Sequence, residues 1–162
     1  MRHIVATLLL VGHVAPPLVA LQPARPASPG GRPGACSFLT KEIVTQVTPH
    51  QKKALGLILQ IPPEEEPVGA SGSGCSYGGI YLQVDPFAVG RFEQLRDKTW
   101  VAVPGVGDGA YFRDNKGMWA ELYVRAGQRM FTIQMDVPTG ATSTSLQPNT
   151  VALARAILPK LN

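Results

Sequence analysis

Residues 110–137 hold three stretches in which apolar and polar side chains alternate, separated only by turn residues. Ala110-Tyr-Phe-Arg113 and Trp119-Ala-Glu-Leu-Tyr-Val-Arg125 flank Asp114-Asn115-Lys116-Gly117, a hairpin turn signal. Gly127-Gln128 then leads into Arg129–Val137, where Phe131, Ile133, Met135 and Val137 point one way and Thr132, Gln134 and Asp136 the other. Period-two alternation places neighbours on opposite faces of a strand, so this run predicts an antiparallel meander with one buried face. Such a face must be covered. Pro148 opens a final helix in which Val151, Ala154, Leu158 and Leu161 share one side with Ile157 beside them, a stripe suited to covering the sheet. The fold class that follows is α+β: an antiparallel β-sheet meander with two or three helices packed on one face.

The region before the meander is less regular. Thr40 is a good N-cap for a helix over Lys41–Val47, with Glu42 in the first turn. Thr48-Pro49 restarts a second short helix through Leu55, and Leu57–Ile61 is either its end or a short buried strand. Pro62–Pro67, with three glutamates between prolines, reads as irregular, and Gly69–Gly74 extends it into an exposed loop. Cys75–Val84 reads as one strand whose glycine pair suggests a bulge. Pro86–Arg96 carries Phe87, Phe92 and Leu95 at roughly helical spacing. No internal repeat is present.

The N-terminal third is organised differently. Met1-Arg2-His3 precedes an apolar stretch from Ile4 to Val11, and Leu18-Val19-Ala20 offers a cleavage point, the pattern of a secretory signal over residues 1–20. The stretch is too short for a membrane span, and no later segment is long and apolar enough for one. Leu21–Ala35 holds prolines 23, 26, 29 and 33 and no apolar face, which makes it an extended tether. A single domain over 36–162 follows. Charge sharpens this division: the chain is formally +4, yet the part from Cys36 onward has 12 basic and 11 acidic residues. That near-balance, alternating along strands, excludes a nucleic-acid surface.

Export would place the two cysteines in an oxidising compartment, where Cys36 and Cys75 are expected to pair as a disulfide, the alternative being two buried thiols. Pro33 stands where a lipoprotein signal carries an aliphatic residue, so no lipid anchor is expected at Cys36. Without its leader the chain keeps one histidine, His50, on a polar stretch, too little for a zinc site or a Ser-His-Asp triad. No metal, no cofactor and no catalytic residue are expected. Glu64-Glu65-Glu66 reads as a solvated turn without calcium-loop geometry. Asp85, Asp108, Glu121 and Asp136 remain available as paired carboxylates for glycoside hydrolysis, with nothing ranking one pair above another. Gly105–Gly109 leads into a strand and not a helix, so it is a tight turn stabilised by the Asp108 carboxylate instead of a phosphate loop. Trp119, Glu121, Tyr123 and Arg125 share one strand face opposite Ala120, Leu122 and Val124. That face is either open to a partner or covered by helices. With Asp108 in the neighbouring loop, these residues form the expected binding site.

Several spaced motifs also form a series: Cys36-Ser-Phe-Leu-Thr40-Lys-Glu, Cys75-Ser-Tyr, Val103-Pro-Gly-Val-Gly-Asp108-Gly-Ala-Tyr111, Leu122-Tyr-Val-Arg-Ala-Gly127, and a closing Ala/Leu-rich helix. In this order they resemble small exported envelope proteins and lipoproteins, of unknown function, of actinobacterial and proteobacterial type. The resemblance implies an α+β domain with a curved antiparallel sheet, helices on one face, a disulfide between the two cysteines and no catalytic residues. The expectation is a periplasmic or secreted domain that binds an envelope protein or glycan. A carboxylate-based hydrolase of envelope polymers and a structural envelope component are the competing expectations.

Overall fold

The computed structural model describes residues 32–48 and 59–161. The predicted leader, most of the tether, the second helix expected from Thr48 to Leu55, and His50 lie outside the described residues. Seven strands form one antiparallel sheet: β1 (Glu64–Val68), β2 (Gly72–Tyr77), β3 (Ile80–Val84), β4 (Val101–Ala102), β5 (Gly109–Asp114), β6 (Trp119–Ala126) and β7 (Arg129–Asp136). Their spatial order is β1-β2-β3-β7-β6-β5-β4. Two meanders, β1–β3 and β4–β7, are therefore joined where β3 pairs with β7, with Leu82 opposite Ile133. The connection over residues 85–100 carries the chain across the sheet to the far edge.

The expected hairpin forms as read. Asp114 Oδ1 accepts the Gly117 N–H at 3.0 Å, and Tyr111 stands opposite Tyr123. On one face Leu82, Leu122, Val124, Phe131 and Ile133 are fully buried. They meet Leu39 and Val44 from the N-terminal side and Leu153 and Ile157 from the C-terminal helix in one core. Helix α1 (Lys41–Val47) starts at Thr40, whose Oγ1 accepts the Ile43 N–H at 3.5 Å. Hydrogen bonds from its own backbone N–H and from the Thr40 hydroxyl hold the Glu42 carboxyl below its usual pKa. Helix α2 (Gln147–Ile157) buries Thr150, Leu153, Ala154 and Ile157. The apolar stripe is thus rotated from the expected one: Val151 is only half-buried, and Leu153, the larger side chain, faces the sheet. Thr150 tolerates burial because its hydroxyl donates to Gln147 O at 2.9 Å.

The disulfide joins Cys36, in a 3₁₀ turn at Ala35–Ser37, to Cys75 at the middle of β2. Beside it the Ala35 N–H donates to Ser73 Oγ at 2.8 Å, so the end of the tether is fastened to the sheet by covalent and polar links together.

Three segments differ from the sequence reading. Pro62–Gly74 is not one irregular loop: Glu64–Val68 is an edge strand paired with β2, Glu66 opposite Gly74 and Pro67 opposite Ser73. An edge strand tolerates proline because alternate backbone N–H groups face away from any neighbour, and charges on such an edge discourage pairing with another chain. Gly72 belongs to a strand for a steric reason, since a Cβ there would lie 2.5 Å from the Asp85 carbonyl oxygen. Second, Gly78-Gly79 is a two-residue hairpin turn and not a bulge. Both residues have positive φ, 62° and 78°, as a turn matched to the strand twist requires. Third, Pro86–Arg96 contains only a 3₁₀ turn at Val89–Arg91, because Phe92, Leu95 and Trp100 pack individually onto the sheet. That packing creates a second, smaller cluster with Tyr111, Tyr123 and Met130, so the sheet has apolar burial on both faces.

Candidate functional site

Directly opposed residues of antiparallel strands share a face. The register therefore lays one row across the sheet: Glu64, Ser76, Tyr81, Gln134, Glu121 and Arg113. This polar face lies opposite the one that α1 and α2 cover. Its right half, over β5–β7, lies beneath the 85–100 crossover. Its left half, over β1–β3, is bare of any described segment.

The expected binding residues fall mostly in the covered half. Tyr123 is buried under Trp100, ring centroids 4.4 Å apart, and its hydroxyl donates to Glu121 at 3.0 Å. Burial, with the Glu121 charge next in size, pushes the Tyr123 phenol up to about 12. Glu121 is held by Arg113 at 3.4 Å, and the Arg113 guanidinium lies 5.6 Å from the Trp100 ring centre. Arg125 lies over Phe92 at 5.5 Å and 3.9 Å from the Glu93 carboxylate, while its Nη2 donates to the Asp108 carbonyl at 3.4 Å. The structure thus brings Glu121, Tyr123, Arg125 and Asp108 to one region. What packs over Tyr123 and Arg125 is the irregular crossover, not a helix, and Asp108 is exposed. Trp119 stands apart at the start of β6, half-buried and opposite Asp136.

Asp108 does not brace its own turn as expected. Its Oδ2 accepts the Gly127 N–H at 2.6 Å, which pins the 104–108 loop to the turn between β6 and β7. Asp85 is also committed: its carboxylate takes Arg129 at 2.8 Å and the Met130 N–H at 3.3 Å. Of the four carboxylates considered for paired chemistry, Asp85, Asp108 and Glu121 are each tied to a different structural contact, and Asp136 is exposed. Among the described residues, no group of three or more His, Cys, Asp or Glu is placed to hold a metal ion. No described helix is long and apolar enough to cross a membrane.

The left half of the polar face holds a cleft of about 550 Å³ at the tip of the β2–β3 hairpin. Glu64, Glu66, Tyr81, Gln134 and Asp136 line it, with Ile61 and Pro62 on the rim. The Tyr81 hydroxyl donates to Glu66. Burial, partly offset by a hydrogen bond with Gln83 and reinforced by Glu66, raises the Tyr81 phenol above its usual pKa. Tyr77, at the cleft end, donates to the Leu59 carbonyl at 3.2 Å and is likewise raised by burial. Glu64, Glu66 and Asp136 are exposed and have no basic partner within ion-pair distance among the described residues. Sequence reasoning missed this site by treating Glu64–Glu66 as a turn. Three consecutive glutamates carry no alternation, so the separation of Glu64 and Glu66 from Glu65 onto opposite faces appears only in the pairing of β1 with β2.

An acidic, hydrogen-bonding cleft of this kind attracts cationic groups and hydroxyl or amide donors. It stands open to water, unlike the apolar pockets that convert a carboxyl into a general acid. No family model, no curated protein and no solved structure matches the chain.

Proposed function

We propose that this chain is an exported, non-catalytic interaction domain of the cell envelope that docks its partner on the bare half of the polar sheet face. The observation that carries the reading is the open cleft, whose three exposed carboxylates have no internal counter-charge among the described residues. Supporting the exported setting are the signal-like pattern of residues 1–20 and the Cys36–Cys75 disulfide, since disulfides persist in oxidising compartments. In this reading Glu121, Tyr123, Arg125 and Asp108 hold the crossover and the neighbouring loop in place, and Trp119 borders the docking face beside Asp136. The partner is an envelope protein or glycan presenting positive charge or hydrogen-bond donors.

The test is recovery of partners from an envelope fraction on immobilised protein, comparing the native chain with Glu66→Gln/Asp136→Asn and with Trp119→Ala. Recovery should fall severalfold in the carboxylate variant and less in Trp119→Ala. Equal recovery from all three would remove the cleft from consideration.

A further inference from the structure

At the opposite end of β3 from the acidic cleft lies a second cavity, of about 430 Å³. Its walls come from the end of the tether (Arg32), the β1–β2 turn (Ser71), the start of the crossover (Asp85, Phe87 and Arg91) and the β6–β7 turn (Gln128). The fold fixes these walls. The Ala35 N–H donates to Ser73 Oγ at 2.8 Å and Cys36 is bonded to Cys75, which holds Arg32 beside the sheet. A left-handed backbone at Asp85, φ 52°, turns the chain out of β3 and brings Phe87 and Arg91 to the same cavity as Ser71. Arg91 lies over the Phe87 ring, 5.7 Å from its centre, and Phe87 remains 41% exposed.

The charge in these walls is unbalanced. Among the described residues Asp85 is their one acid, and its carboxylate already takes Arg129 at 2.8 and 3.0 Å and the Met130 N–H at 3.3 Å. Arg32 reaches that carboxylate only at 3.7 Å, and Arg91 has no acid within ion-pair distance among the described residues. The crossover's own acids are turned to other partners: Glu93 to the Tyr111 hydroxyl at 3.0 Å and to Arg125 at 3.9 Å, Asp97 to the Thr99 N–H at 2.9 Å. Neither lines the cavity, and nor do Glu65 and Asp108. We propose that this cavity is an anion site for a phosphate monoester, with the phosphoryl oxygens between Arg32 and Arg91 and the organic body against the Phe87 ring. Two guanidinium groups come from separate walls, and the Ser71 hydroxyl and Gln128 amide add further donors. That set suits the three oxygens of a tetrahedral phosphoryl group better than a flat carboxylate, which a single guanidinium already satisfies. The same chemistry is offered by a soluble ester and by a lipid headgroup. The site is separate from the acidic cleft and stands independently of the docking reading.

The experiment is calorimetric titration of the oxidised full chain, at physiological ionic strength, with phenyl phosphate, inorganic phosphate and benzoate. It is repeated on Arg32→Gln, Arg91→Gln and Lys98→Gln, all at exposed positions, with circular dichroism to check folding. Lys98 is the control, a crossover cation that does not line the cavity. Phenyl phosphate should bind with a dissociation constant of about 1 mM or tighter. Inorganic phosphate, lacking the ring, should bind severalfold more weakly, and benzoate about tenfold more weakly. Each arginine variant should weaken phenyl phosphate about tenfold, the scale of a lost charged hydrogen bond. Lys98→Gln should change it less than about twofold, since a charge beyond the Debye length is screened. Co-sedimentation with phosphatidylcholine vesicles containing phosphatidic acid separates the two sources. Retention that Arg91→Gln abolishes assigns the site to a lipid headgroup; no retention beside binding of phenyl phosphate assigns it to a soluble ester. The proposal is overturned by no heat with phenyl phosphate up to about 10 mM, tenfold above the expected constant, together with no retention on vesicles. Equal affinity for benzoate, unchanged binding in both arginine variants, or an equal loss in Lys98→Gln overturns it as well.

Discussion

Tyr123 shows how much a single side chain on the polar face has been diverted to internal use. Its ring lies under Trp100 and its hydroxyl is spent on Glu121, and burial with that charge raises the phenol to about 12. Because the folded form keeps its proton beyond the ordinary value of 10.0, the stability that Tyr123 contributes is complete below pH 10 and is lost as pH rises toward 12. Denaturant titrations across that window should show Tyr123→Phe losing less stability with pH than the native chain; identical alkaline slopes would contradict the assignment. Gly72 is a second case. A methyl there would lie 2.5 Å from the Asp85 carbonyl oxygen and 2.7 Å from that of Val84, both backbone atoms that cannot step aside. Gly72→Ala should cost about 2 kcal/mol in denaturant unfolding, the scale of overpacking in a tight core. Gly90→Ala, where a methyl meets nothing within 4 Å, should stay within about 0.5 kcal/mol.

At the scale of elements, the two meanders were unequally readable. The β5–β7 run alternates large apolar and polar side chains, so each strand reports its own faces. The β1–β3 meander hides the same geometry behind Glu-Glu-Glu-Pro-Val and Gly-Ser-Gly, whose strand character comes from pairing and close approach instead of propensity. The crossover misled for the opposite reason. Its aromatic spacing suggested a helix, yet its aromatics are distributed to separate partners on the sheet, Phe92 to Tyr111 at 5.3 Å and Trp100 to Tyr123. Phe92, only 2% exposed, is the anchor of that arrangement. Phe92→Ala should lower stability by about 3 kcal/mol, the usual cost of emptying an aromatic site. Tryptophan emission should shift to the red in that variant as Trp100 loses its cover, and an unshifted spectrum would show that the crossover is held elsewhere.

For the whole molecule the disulfide is the strongest single constraint. It spans 39 residues, from the 3₁₀ turn at Ala35–Ser37 to β2, and the loop it closes contains α1 and β1. Closing a loop of that size removes roughly 4 kcal/mol of freedom from the unfolded chain. Cys36→Ser/Cys75→Ser should therefore unfold at markedly lower denaturant concentration, with a drop of about 3–4 kcal/mol. A change below about 1 kcal/mol would mean that the core alone holds the N-terminal segment.

The amino-acid sequence by itself determined the α+β class, the cysteine pair and the β5–β6–β7 meander, because turn residues and period-two alternation are local signals that survive without context. It also placed Trp119, Glu121, Tyr123 and Arg125 on one strand face correctly. Only the tertiary structure decided what that face does. The crossover folds back over half of it, absorbing Tyr123 and Glu121 into an internal network. Register across four strands then assembles the acidic cleft from Glu64, Glu66, Tyr81, Gln134 and Asp136. Those residues lie as far apart in sequence as 64 and 136, and what unites them is strand pairing, which no local pattern in this chain records.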